Sequence, residues 1–240
     1  MKIIVTFAVA SEFTRWRRYS RFTRIDCAGT PVHRARVGDI EIYALMTGIG
    51  MRRSQRELQQ LLAARADLCI ASGLAGGLKK QHRVGAIVVA RGIKTEAHTP
   101  AIASDSGLVD VAIRCGANPV DFFYTSKAVV NSPSERLRLG KSADAVDMES
   151  FHVLDEAHRA GVRAVAVRAI SDSAEKTLPM DFDRVVNKHG EVGWLPILIE
   201  LAKQPMRFAG FVRFGIDSSG AARNLARFLD RYVNALTITA

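Results

Sequence analysis

The side chains of this sequence best placed for acid–base chemistry are three carboxylates in two short stretches. Asp147 and Glu149 lie in Ala145-Val-Asp-Met-Glu-Ser150, and Asp172 closes Arg168-Ala-Ile-Ser-Asp172. The first stretch reads as a strand-to-helix junction and the second as the C-terminal end of a buried strand. Open α/β sheets hold their ligands at such places, so both acidic groups are expected to face one pocket. A helix-capping role for each acid is the competing structural reading, because Asp near a helix start is common. Two glycine clusters at strand ends, Thr47-Gly-Ile-Gly50 and Ser72-Gly-Leu-Ala-Gly-Gly77, would let backbone N–H groups approach a ligand closely. Each alone is equally consistent with an ordinary tight turn.

Apolar runs rich in Val and Ile must position these residues. Ile3 to Val9, Ile40 to Met46, Leu68 to Ser72, Ala86 to Ala90 and Ala164 to Ile170 read as strands buried on both faces. Helical spacing appears between them: Leu58, Leu61 and Leu62 within 53–65, and Val153, Leu154 and Ala157 within 150–160. Alternation of this kind predicts an α/β fold with a largely parallel or mixed sheet. The polar segment 94–105 and the charged segment 132–141 read as surface loops or short helices. After Pro205 the pattern changes to an amphipathic helix over 221–236, carrying Leu225, Phe228, Leu229, Tyr232, Val233 and Leu236, with arginines on its other face. We expect a catalytic domain over residues 1–204 and a helical extension, 205–240, packed on it.

Composition narrows the function classes. A chain of 240 residues with 48% hydrophobic content can bury one sizeable core. No apolar run reaches the length that spans a bilayer, so membrane insertion is not expected. The start, Met1 to Ala10, imitates a signal peptide, but its apolar run is short and its β-branched residues suit a first strand. Three widely spaced cysteines, Cys27, Cys69 and Cys115, suggest neither a disulfide framework nor a zinc site and fit a reducing cytoplasm. The formal charge of +10 concentrates in 15–24 and 207–231. Without a nucleic-acid motif or aromatic platform it reads as a solvated basic face, and no nucleic acid is expected as a partner.

In order along the chain, Thr47–Gly50, Ser72–Gly77 with Val84-Gly-Ala-Ile-Val-Val89, Val146-Asp-Met-Glu149 and Arg168–Asp172 resemble the nucleoside phosphorylase and nucleosidase superfamily. The last two look like that family's ribose and base motifs. The resemblance runs from residue 1 to about 185 and implies a three-layer α/β/α sandwich around a central mixed, twisted sheet. Within the family the sequence is most similar to the 5′-methylthioadenosine and S-adenosylhomocysteine nucleosidases, whose catalytic glutamate falls where Glu12 stands here.

That resemblance implies cleavage of the N-glycosidic bond of a purine nucleoside, with adenine favoured by Asp172. Such a reaction passes through an oxocarbenium-like sugar and needs an acid for the purine, a base for water and anchors for the ribose. Asp172 would protonate purine N7, Glu12 would activate water with help from Arg168, and Glu149 would grip the ribose hydroxyls while Met148 packs on the sugar. Asp147, Ser171, Gly50, Leu74, Ala75 and Gly76 would complete the substrate site. Val129 and Val130 would flank the base, and Phe182 would line the 5′ pocket. No metal or organic cofactor is implied, and relatives of this kind pair as homodimers. The departures are Ala8-Val-Ala-Ser-Glu12 in place of a glutamate run, Asp147 where Glu is usual, and an unmatched segment 94–105, so the 5′ substituent stays open. Phosphate in place of water is the competing enzyme reading, with Arg52 and Arg53 as its cations and a hopanoid-associated phosphorylase as one form. A non-catalytic nucleoside-binding protein is the alternative outside enzymes.

Overall fold

The structure, a computed structural model, describes residues 1–27, 30–51, 54–96, 100–175 and 208–238. Among the described residues ten strands form one sheet: β1 (Lys2–Phe7), β2 (Thr23–Cys27), β3 (Thr30–Val37), β4 (Ile40–Met46), β5 (Leu68–Gly77), β6 (Ile87–Thr95), β7 (Ile102–Ala103), β8 (Asn118–Thr125), β9 (Ala145–Asp147) and β10 (Arg163–Asp172). The helices described are α1 (Ala10–Trp16), α2 (Gln55–Ala63), α3 (Ser106–Arg114), α4 (Pro133–Gly140), α5 (Ser150–Arg159) and α6 (Phe208–Ile238).

The strand order is β10-β6-β8-β9-β5-β1-β4-β3-β2, and β10 pairs β5 as well as β6. The path β5-β9-β8-β6-β10 therefore closes on itself, while β1, β4, β3 and β2 extend from β5 as an open wing. Pairing is mixed: β1 runs parallel to β4 and β5, and β10 runs parallel to β5 but antiparallel to β6. A closed section leaves no free edge there, and it gathers the ends of β5, β9 and β10 at one mouth.

Strand alternation divides the core in two. Ile3, Val5, Leu68, Ile70, Val165 and Val167 face a cluster shared with α1, α3 and α6. Ile4, Cys69, Ala71, Ala164 and Ala166 face the opposite cluster with α2 and α5. Period-2 alternation with both faces covered is why these strands are apolar throughout, and it produces the three-layer α/β/α arrangement around a mixed sheet.

Several expectations change in extent. β4 matches its expected bounds, but β1 ends at Phe7, leaving Ala8 and Val9 to turn into α1. Residues 72–77, read as a turn, continue β5 to Gly77, held by the long pairing with β10. Segment 132–141 forms α4, opened by Pro133 at its first turn, and segment 94–105 contains the end of β6 and all of β7.

Helix α6 is longer than 221–236. Its buried stripe of Ala221, Leu225, Phe228, Leu229, Tyr232 and Leu236 is continuous with the core, and Tyr232 donates its hydroxyl to the Leu108 carbonyl at 2.8 Å. Truncating a buried aromatic removes both transfer free energy and packing. Phe228→Ala is therefore expected to destabilise the fold by about 3–5 kcal/mol, read by urea unfolding. A loss below about 1 kcal/mol would mean that α6 is a surface strap, as expected of exposed positions.

Candidate functional site

Arg168 lies on β10 with 1% of its surface exposed. Its Nη2 is 2.9 Å from Asp147 Oδ2 and 3.4 Å from Glu149 Oε2. Nε and Nη2 both donate to Ser150 Oγ, and Nη1 donates to the Ser72 carbonyl at 3.2 Å. Burial works against the cation, but Asp147, Glu149 and Glu12 outweigh it and strengthen its hold on the proton. The guanidinium crosses β5 at Gly73, where φ is +150° and an added Cβ would collide with Arg168 Nη1 and press on Glu12. Glycine is required there by close approach, which gives the glycine cluster a role other than turning the chain.

Glu12 sits in the first turn of α1 and is buried. Its Oε2 accepts the N–H of Ala8 at 2.9 Å and of Val9 at 3.3 Å, while Oε1 accepts the N–H of Leu74 at 2.9 Å. Burial raises its pKa, and Arg168 and these three donors offset part of the rise.

The Thr47–Gly50 turn has left-handed glycines, with φ 74° at Gly48 and 68° at Gly50. That conformation aims the Gly50 N–H at Glu149 Oε1, 2.9 Å away. Glu149 stands at the N-terminus of α5. Burial, resisted by Arg168 and reinforced by Asp147, pushes its pKa up to about 7. Asp147 is turned to protein partners: Oδ1 accepts the Thr125 hydroxyl at 2.7 Å and the Ser150 N–H at 3.3 Å, and Oδ2 faces Arg168. It therefore combines the capping reading with a grip on the arginine.

Asp172 ends β10, and a Cβ on Gly76 would lie 3.3 Å from its Oδ2. Its Oδ1 lies 2.6 Å from Ser171 Oγ, and its Oδ2 lies 2.5 Å from Nη1 of Arg136. Arg136, on α4, was absent from the sequence reading. Its buried guanidinium also donates to the carbonyls of Val130 and Ser173.

A cavity of about 280 Å³ joins these groups. Its wall includes Glu12, Leu74, Ala75, Gly76, Val129, Val130, Asp147, Met148, Glu149, Ser171 and Asp172, as the sequence reading grouped them. Arg168 stands behind the wall, and Gly50 meets it through Glu149. Ala8 and Ile49, from the Ala8–Glu12 and Thr47–Gly50 stretches, line it too, as do Arg136 and Ser218 of α6, which were not read from the sequence. Phe182, Arg52 and Arg53 lie outside the described residues. Among the described residues no three His, Cys, Asp or Glu side chains converge as metal ligands would.

This arrangement offers an acceptor-rich floor and a separate acid between apolar walls. The profile of the Phosphorylase superfamily matches residues 2–192. The chain belongs to the phosphorylase superfamily. A relative within that superfamily, the 5′-methylthioadenosine/S-adenosylhomocysteine nucleosidase of Chromohalobacter salexigens, is 29% identical, covering 78% of this chain and 91% of its own. The nucleosidase of that name from Helicobacter pylori superposes with a TM-score of 0.74 at 20% identity, over 98% of each chain. Futalosine hydrolase from Helicobacter pylori gives a TM-score of 0.71 at 19% identity, over 98% of this chain and 97% of that one. At these identities the superpositions establish the shared fold.

The raised pKa of Glu149 links stability to pH. Between its ordinary value of 4.5 and about 7, the native state binds a proton that the unfolded state has released, so stability falls as pH rises through that window. Melting curves from pH 5 to pH 8 are expected to show that fall, and Glu149→Gln, which keeps the neutral shape, is expected to flatten it. A variant with the same pH dependence as the wild type would refute this linkage.

Proposed function

We propose that the chain hydrolyses the N-glycosidic bond of a purine nucleoside, adenine being the base, in the manner of the methylthioadenosine and S-adenosylhomocysteine nucleosidases. The observation that carries this reading is the placement of Glu12. The N–H groups of Ala8, Val9 and Leu74 converge as donors at the cavity floor, where an external phosphate would need them. Here they hold the protein's own carboxylate. That carboxylate, standing where the dianion would sit, would repel it in a site partly shielded from water. A neutral water molecule suffers no such repulsion.

In this reading ionised Glu12 removes a proton from water as its oxygen attacks C1′ of the ribose. The C1′–N9 bond breaks, its electron pair moves into the purine, and Asp172 supplies the proton that N7 takes up. Nucleoside and water become free sugar and free base. Glu149 accepts the ribose hydroxyls, Met148 supports the sugar, and Val129 and Val130 flank the base. Arg168 balances the carboxylates so that Glu12 can hold a charge in a buried site. Phe182 is assigned to the 5′ side on the resemblance. A homodimer in the cytoplasm belongs to this reading on the same basis.

The test is release of adenine from methylthioadenosine, S-adenosylhomocysteine and adenosine, each with and without phosphate. Release that ignores phosphate and yields free sugar is expected for at least one of them, with a loss of about 10²-fold or more in Asp172→Asn, the usual size of an acid–base contribution. Strict phosphate dependence with formation of a sugar 1-phosphate would replace hydrolysis by phosphorolysis. Failure on all three would remove this substrate class.

A further inference from the structure

Helix α4 carries two arginines in Ser-Glu-Arg136-Leu-Arg138-Leu that face opposite environments. The side chain of Arg138 is 68% exposed, whereas that of Arg136 is 2% exposed. A buried guanidinium is costly unless charge and hydrogen bonds compensate it. Arg136 has both: Nε donates to the Val130 carbonyl at 3.0 Å, Nη1 donates to the Ser173 carbonyl at 3.1 Å, and Nη1 faces Asp172 Oδ2 at 2.5 Å. Arg136 thus sets its charge against one oxygen of the acid at the purine end of the cavity, and it also holds the backbone of a residue assigned to flank the base.

The other oxygen meets a hydroxyl with a choice. Ser171 Oγ lies 2.6 Å from Asp172 Oδ1 and 3.2 Å from the Ala75 carbonyl. One hydroxyl hydrogen cannot serve two acceptors fully. With a proton on Oδ1 the conflict disappears, because Asp172 donates to Ser171 and Ser171 donates to Ala75. A proton on Oδ2 would instead confront a guanidinium, which has no acceptor.

We propose that Arg136 is a positioning residue of the leaving-group acid: by occupying Oδ2 it confines the catalytic proton of Asp172 to Oδ1, in relay with Ser171. This assignment rests on the nucleosidase reading above. As C1′–N9 breaks, the Oδ1 proton passes to purine N7. Asp172 is left as a carboxylate, the Ser171 hydrogen turns from Ala75 to Oδ1, and Arg136 faces the charge just formed. Water supplies the oxygen at C1′ and gives its proton to Glu12, so atoms and charge balance. Arg136 acts on the departing base and leaves the sugar chemistry alone.

Two substrates separate that role from a structural one. Methylthioadenosine needs its base protonated, whereas the 4-nitrophenyl glycoside of the same sugar releases a stable phenolate without it. Arg136→Met is expected to lower kcat on methylthioadenosine by about 10²-fold or more, with less than a threefold change on the glycoside, because only the first reaction uses the acid. Arg136→Lys, which retains a cation, is expected to restore the nucleoside rate to within about tenfold. Equal losses on the two substrates, or no loss on the nucleoside, would overturn the assignment. Should the Met variant fail to fold, the Lys variant decides by the same comparison: a loss larger on the nucleoside supports the assignment and an equal loss overturns it. A wild-type chain inert towards both substrates would overturn the nucleosidase reading itself, and the assignment with it.

Discussion

The site is organised around one buried cation. Arg168 stands among Asp147, Glu149 and Glu12 with almost no contact with water. Without it three carboxylates would share a desolvated space, a cost that proteins relieve by protonation or by unfolding. With it, two acids hold defined orientations and Glu12 is free to take its own set of backbone donors. The glycines of β5, the Thr47–Gly50 turn and the β9–α5 junction all meet this arrangement. Gly73 yields space to the guanidinium, Gly50 gives Glu149 an N–H, and Ser150 at the start of α5 accepts two arginine donors.

The fold supplies that constraint through its topology. Pairing of β10 with both β5 and β6 closes a section of the sheet, so one strand supplies both Asp172, on the cavity wall, and Arg168, four positions earlier and behind that wall. Arg168 shares a face of β10 with Ala166 and Ile170, and a bulge between Ile170 and Asp172 lets the consecutive Ser171 and Asp172 both line the cavity. The opposite face packs Val165, Val167 and Ala169 towards α6. Both faces of β10 carry core, Ala164, Ala166 and Ile170 on the face that also bears Arg168, and movement of α6 would reach the cavity directly through Ser218.

Much of this was legible in the sequence because the central strands are buried on both faces and read as unbroken apolar runs. β2 and β3 were not, since Thr23 to Cys27 and Thr30 to Val37 mix arginines and a histidine with apolar residues, as half-exposed strands of the sheet's outer wing do. Helix α1 was missed although Phe13 and Trp16, three residues apart, carry a signal for it. Ser72 to Gly77 resembled a turn because small residues look alike locally. What keeps it extended is β10, nearly a hundred residues away in the chain. The acids of the cavity were recoverable by motif, but Arg136 was not. Next to Arg138 it has the same local sequence character, and only the packing of α4 separates a buried cation from a solvated one.

The central claim is that Glu12, held by three backbone donors and balanced by Arg168, activates water. Glu12→Gln tests it most directly, with adenine release measured beside calorimetric binding of methylthioadenosine. Turnover is expected to fall by about 10²-fold or more, the scale of a lost general base, while affinity changes less than tenfold. Retained turnover, or affinity lost in step with turnover, would contradict it and assign Glu12 to holding the nucleoside or the fold.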